Sequence, residues 1–270
     1  MVRSGESSGT LELVLERLAD INERQQSLNN RIRSALAYPV LMFFIGVIVL
    51  FVLLTYIVPS ITSIFMDMGQ QLPAPTRFLI AASKYLKTGW WIIVLLIVLV
   101  IIAVKRIKKS DKGKFWYDKT LLSLPGLGAL IKKVAVARFT RTLGTLLENG
   151  VPLLSALGIV KNIVGNQLIA NSINYAADEV EKGNGLGKSL NTSSIFPHIS
   201  IQMIQVGEQS GQLETMLNKV ADIYENEVQN TIVGLTALLE PLIILFMGVI
   251  VGFIVLSICL PIFEMNQLVR

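Results

Sequence analysis

Few side chains in this chain have types and spacing suited to chemistry. The one histidine, His198, has no second histidine and no nearby cysteine, so a zinc ligand set cannot be assembled around it. The one cysteine, Cys259, lies inside an apolar run, which leaves no partner for an intrachain disulfide and no thiolate cluster. Gly183, Gly185 and Gly187 superficially resemble a phosphate loop, but no strand precedes them and no stretch satisfies G-x-x-x-x-G-K-[ST]. No nucleophile with a histidine base and an acidic orienter is identifiable. The expectation is a protein with no catalytic residues, no metal and no cofactor.

One chemically suggestive pattern, Gly-Glu-x-Ser-Gly, occurs twice, as Gly5-Glu6-Ser7-Ser8-Gly9 and Gly207-Glu208-Gln209-Ser210-Gly211. It admits two readings. In the structural one, Gly207 ends a helix, Ser210 caps the next and Glu208 sits near that helix's positive end. In the functional one, an exposed acidic turn present in two domains receives a basic partner surface. Gly5, Glu6, Ser8 and Gly9 carry the same alternatives.

The elements that must position these turns are apolar to an unusual degree. Hydrophobic residues make up 52% of the 270 and charged residues 16%, too greasy for an ordinary soluble domain. The excess concentrates at 40–58, 89–104 and 242–260, which contain no Asp, Glu, Lys, Arg or His. Nineteen residues make a helix of about 28 Å at roughly 1.5 Å per residue, close to a bilayer core of about 30 Å. The middle stretch reaches that length only by recruiting residues 85–88. The first stretch begins too far into the chain, behind a charged segment of helical periodicity, to be a cleaved signal sequence.

Charge placement orients these spans. Of the fifteen residues from Lys105 to Lys119, seven are basic, a strong cytoplasmic anchor beside anionic lipid headgroups. Aromatic and basic residues do not interleave there as a nucleic-acid stacking platform requires, so no nucleic-acid partner is expected. The N-terminus and residues 105–237 are expected inside, with 60–84 and the C-terminal tail outside.

Laying the chain on itself at an offset of 202 aligns residues 5–59 with 207–261 with 22 identities and no gap. Glu6 pairs with Glu208, Ala19-Asp20-Ile21 with Ala221-Asp222-Ile223, Pro39 with Pro241, Gly46 with Gly248 and Pro59 with Pro261. Each copy reads as a glycine motif, an amphipathic helix, a membrane-entry proline (Pro39, Pro241), a span and an exit proline (Pro59, Pro261). Both copies cross in the same direction, and the middle span supplies the return crossing. The first copy lacks the helical residues that precede the second, so the chain is expected to be a fragment of a longer protein. Gly248 and Gly252 form a G-x-x-x-G pattern suited to helix packing or dimerisation, whereas the first copy keeps Gly46 but has Leu50 at the second position.

From 105 to 237 the apolar periodicity is helical throughout. Pro125-Gly126-Leu127-Gly128 punctuates it, Asn149-Gly150 ends a helix, Pro152 opens the next, and Asn184-Gly185-Leu186-Gly187 loosens the chain again. The expected fold is all-α: a polytopic membrane protein with three transmembrane helices and an antiparallel cytoplasmic bundle of about six helices. Its expected organisation is a remnant of a first cytoplasmic helical domain at 1–36, spans at 37–59 and 85–104, and between them an extracytoplasmic linker at 60–84. A basic juxtamembrane linker at 105–133, a second cytoplasmic domain at 134–236, a third span at 237–261 and a tail at 262–270 follow. An oligomeric small-solute transporter or channel is the alternative, opposed by the absence of charge within the spans.

Several of these motifs in fixed order carry a family resemblance. Gly-Glu-x-Ser-Gly with Leu213, Leu217 and Ala221-Asp222, the Pro125-Gly126-Leu127-Gly128 turn, Ala137-Arg138-Phe139, the run from Leu146 to Leu153, and Leu260-Pro261-Ile262-Phe263 closely resemble the inner-membrane platform protein of type II secretion systems and type IV pili. The resemblance implies a multi-pass protein of the bacterial inner membrane, without P-loop chemistry of its own. Implied partners are a cytoplasmic assembly ATPase, prepilins or pseudopilins, other inner-membrane assembly components, the lipid bilayer and a second copy of the chain. The implied role is to couple ATPase motion to pilin insertion or extraction.

Overall fold

The computed structural model describes residues 11–61, 73–193 and 195–268, and every element among them is helical. Helix α1 is Leu11–Val52, continued by a π-helical turn at Leu53–Ile57; α2 is Ala74–Lys109, α3 Asp111–Ser123, α4 Leu127–Glu148 and α5 Leu153–Ile163. They are followed by α6 at Gln167–Glu181, α7 at Leu186–Asn191, α8 at His198–Ser210 and α9 at Leu213–Leu268. Among the described residues, three segments are long and apolar enough to cross a membrane: Ile32–Ile61, Ala74–Lys109 and one within Leu213–Pro261. The pair α3 and α4, bent by 108°, also has span-like composition, but α4 buries Phe139, Leu143 and Leu146 in a protein core and is not free to face lipid.

The chain divides into two compact units. The apolar one joins Leu36–Arg106 with Thr236–Arg270. Its surface displays Phe43, Phe44, Leu96, Leu99, Leu245 and Leu256, while among the described residues its buried cluster is Val58, Leu79 and Ile254 with a few partly buried neighbours. That inversion suits lipid, where an outward leucine costs nothing and close packing and hydrogen bonds hold helices together. Gly46 shows the close packing: a Cβ there would lie 3.0 Å from Met247 Sδ.

The second unit joins the described part of Met1–Ala35 with Ile107–Leu235 and has a water-soluble protein's core. Phe139, Leu143 and Leu146 of α4 meet Leu157, Ile169, Ile173, Leu186, Leu190, Ile204 and Leu217, all essentially inaccessible. Each such burial contributes about 1.5–3 kcal/mol. Phe139 and Phe196 meet edge to face with centroids 5.1 Å apart. Where α4 stops, Gly150 takes φ 75°, its N–H reaches Leu147 O, and Val151 N–H reaches Leu146 O. Pro152, at the N-cap, then opens α5.

Element boundaries differ from the sequence expectation in three places. Residues 105–133, expected as a linker, are mostly helix: α3 packs on α4 and α6, and Asp118 accepts the Gln167 N–H at 2.8 Å. Residues 74–84, expected in the connection after the first span, begin α2, with Thr76, Leu79 and Ser83 buried. Residues 262–268, expected as tail, continue α9 through Pro261. Pro39 and Pro241 likewise lie inside continuous helices.

Candidate functional site: proline staples and the Gly-Glu-x-Ser-Gly turn

A proline has no N–H, so the helix carbonyl that would have received it needs another donor. In the first repeat copy the π turn bonds Val58 N–H to Leu53 O, five residues back. The same register sets Pro59 opposite the Leu54 carbonyl, and Ser83 Oγ of α2 donates to that oxygen at 2.5 Å. In the second copy the helix stays in α register, which sets Pro261 opposite the Ser257 carbonyl. Thr76 Oγ1 of α2 donates to that oxygen, also at 2.5 Å. The middle helix therefore fills the backbone vacancy left by each exit proline.

The glycine motif of the second copy sits at the end of α8. Gly211 adopts φ 69°, the left-handed region where glycine lacks the Cβ penalty, and Gln212 N–H closes back to Gly207 O at 2.9 Å. Gly207 is inside α8 rather than at its end. It is buried, and a Cβ there would lie 2.9 Å from Met216 Cβ and 3.0 Å from Leu213 Cα, so its role is the close approach of α8 and α9. Ser210 Oγ donates back to Val206 O at 2.8 Å instead of capping α9.

Glu208 is half-buried and serves α7 rather than α9. One carboxylate oxygen accepts the Leu186 N–H and the other the Gly187 N–H at 3.0 Å, so it caps the first turn of α7. These are N–H groups that a helix start leaves without internal acceptors. Gly187 allows the approach, since a Cβ there would lie 2.5 Å from Gln205 Cγ. The exposed part of the turn is Gln209, Ser210, Gly211 and Gln212. Gly5, Glu6, Ser8 and Gly9 lie outside the described residues.

A polar seam that the sequence reading did not single out joins α4 to α9. Arg141, with a side chain 14% exposed, donates from Nε to Glu225 at 2.9 Å, from Nη1 to Asn218 Oδ1 at 3.3 Å, and from Nη2 to Asp222. Burial alone would pull the guanidinium pKa down, but the hydrogen bonds and charges of Glu225 and Asp222 outweigh it and raise it. The available signal was the repeat: Asp222 and Glu225 recur as Asp20 and Glu23.

The remaining candidates are dispersed. His198 is exposed and its Nε2 lies 3.0 Å from Gln202 Nε2, one helical turn away. Cys259 is a free thiol, and among the described residues no three His, Cys, Asp or Glu groups converge as a metal site. Gly46 packs against Met247, whereas Gly248 and Gly252 have nothing within 4 Å of an added Cβ.

This arrangement defines a polytopic helical membrane protein built on a duplicated helix-to-membrane module. The family model "Type II secretion system (T2SS), protein F" matches residues 1–59 and 139–261, each match ending at an exit proline. The chain belongs to the type II secretion system protein F family. It is 38% identical to "Type IV pilus assembly protein PilC" of Pseudomonas aeruginosa, covering 100% of this chain and 72% of that relative. It is 42% identical to the protein of the same name from Thermus thermophilus, over 98% of this chain and 65% of the relative. "Type II secretion system protein F" of Xanthomonas campestris pv. campestris is 37% identical over 99% of this chain and 66% of its own length.

Proposed function

We propose that this protein is a membrane platform for assembly of a type IV pilus or a type II secretion pseudopilus, coupling a cytoplasmic ATPase to insertion or extraction of pilin subunits. Similarity along nearly all of this chain to relatives named for pilus assembly and for type II secretion is the observation that carries the reading. The molecule's design agrees with a scaffold role: apolar helices stapled at their exit prolines in one unit, and a well-packed helical bundle in the other. In this reading the bundle of Ile107–Leu235 faces the cytoplasm, where the ATPase acts, and the segment connecting α1 to α2 lies on the other side of the inner membrane.

The test has two arms. Purified full-length protein in detergent should capture the assembly ATPase encoded in the same organism, and deleting the gene should abolish pili or secretion while leaving the ATPase intact. Normal piliation and secretion in the deletion strain would overturn the proposal. The orientation is checked separately with an impermeant thiol reagent after Cys259→Ser: Gln70→Cys should react in intact cells and Asn184→Cys only after lysis. The opposite labelling pattern would reverse the topology.

A further inference from the structure

We propose that the outer face of α3 docks on an anionic phospholipid surface, with Trp116 and Phe115 seated among the headgroups and Lys112 and Lys119 against their phosphates. The inner face of α3 is already occupied. Asp118 caps α6 through Gln167 N–H, Leu122 packs on the bundle core, and the Tyr117 ring carries Lys108 Nζ 4.1 Å from its centroid. Away from Tyr117, Lys112, Phe115, Trp116 and Lys119 follow the spacing i, i+3, i+4, i+7 and therefore share one face, with Trp116 near its centre and Phe115 at its edge beside Leu122. All four are exposed, Trp116 to 73%.

Three observations commit this face to a lipid surface. First, it continues directly from a membrane-crossing element. α2 ends at Lys109, Ser110 is extended, and α3 starts at the next residue. The corner is tight, because Gly113 sits where a Cβ would lie 2.3 Å from the Ile107 carbonyl oxygen. Second, the charge is complementary: the end of α2 adds Lys105, Arg106 and Lys109 to the lysines of α3, and anionic headgroups attract such clusters. Third, tryptophan beside lysine is the side-chain pair that partitions to headgroup depth, with the ring in the acyl boundary and the ammonium at the phosphates.

The chain's three tryptophans are Trp90, Trp91 and Trp116, so Trp90→Phe with Trp91→Phe leaves Trp116 as the sole emitter. The full-length double variant is reconstituted into phosphatidylcholine vesicles with or without phosphatidylglycerol, the acyl chains brominated either near the headgroup or near the methyl end. Trp116 emission should be blue-shifted and quenched more by the shallow bromines, and phosphatidylglycerol should strengthen that quenching. Adding Lys112→Gln and Lys119→Gln, both exposed and without a packing role, should reduce the phosphatidylglycerol preference by roughly ten-fold, and high salt should do the same. Water-like emission untouched by either bromine position would overturn the proposal, as would quenching indifferent to phosphatidylglycerol. A soluble protein partner on this face would produce the first of those results.

Discussion

Tyr38 and Glu240 occupy the same place in the two copies of the repeat, 202 residues apart, and they touch: Tyr38 Oη donates to Glu240 Oε1 at 3.3 Å. Equivalent positions meet in this way when two modules lie about a local two-fold axis. Gly46 against Met247 follows from the same pairing of α1 with α9. The symmetry is local, since Gly248, the equivalent of Gly46, has open space where Gly46 has Met247.

The pairing is tested by introducing Tyr38→Cys and Glu240→Cys together into a Cys259→Ser chain. A short bifunctional thiol reagent should join them within one polypeptide, visible as an altered mobility that persists at high dilution. Products that are only intermolecular, or none, would show that equivalent positions do not meet.

The two hydroxyl staples should carry measurable stability. Ser83→Ala leaves the part-buried Leu54 carbonyl, and Thr76→Val the buried Ser257 carbonyl, without its side-chain donor, at a cost of about 1–2 kcal/mol each in detergent unfolding. Pro59→Ala restores an N–H near Leu54 O, so Ser83→Ala should cost less in that background. By contrast, Thr55 Oγ1 and Ser257 Oγ are buried without a hydrogen bond, so Thr55→Val and Ser257→Ala should be neutral or stabilising. Equal costs for all four substitutions would remove the staples' special role.

Glu208 should behave as a helix cap. Glu208→Ala removes both acceptors from the first turn of α7 and should destabilise the bundle by about 1–3 kcal/mol, read from thermal unfolding of the full chain. Glu208→Gln keeps one acceptor and should lose less. If Glu208→Ala left the thermal midpoint unchanged while abolishing capture of the assembly ATPase, the carboxylate would belong to a partner contact instead.

Gly207 and Gly211 should fail for different reasons. Gly207→Ala forces a Cβ against Met216 Cβ and Leu213 Cα, an overpacking cost of about 1–3 kcal/mol that Met216→Ala, which keeps its own Cβ, relieves only at the 3.2 Å Cγ contact. Gly211→Ala pays for the left-handed conformation, about 1 kcal/mol, and Met216→Ala should not help it. Thermal unfolding of the four variants separates the two; equal rescue by Met216→Ala at both sites would contradict the assignment.

Arg141 should matter more to the bundle than its exposed partner. Arg141→Ala strips the hydrogen bonds of Glu225 and Asn218 and should cost about 1–3 kcal/mol. Asp222, with a side chain 64% exposed, should be nearly silent to Asp222→Ala, because solvent screens its share of the pair, whereas Glu225, at 33%, should lose more. Comparable losses at the two acids would contradict this ordering.

The amino-acid sequence alone determined the helical class, the three apolar spans, the duplication and the punctuation at Gly150, whereas it marked Gly207 for the helix end that the structure places at Gly211. Each is written in local composition or in a period along the chain, and each survives without knowledge of neighbours. Only the tertiary structure decided what the marked residues touch. Glu208 reads locally as a side chain near α9 but serves α7, because the close packing permitted by Gly187 brings a distant helix start within reach of its carboxylate. Pro59 and Pro261 read as ends of spans, yet their consequence is the demand for a donor that Ser83 and Thr76 meet from another helix. Arg141 gave no local sign at all, since an ion pair between residues more than eighty positions apart has no spacing that a single helix can display.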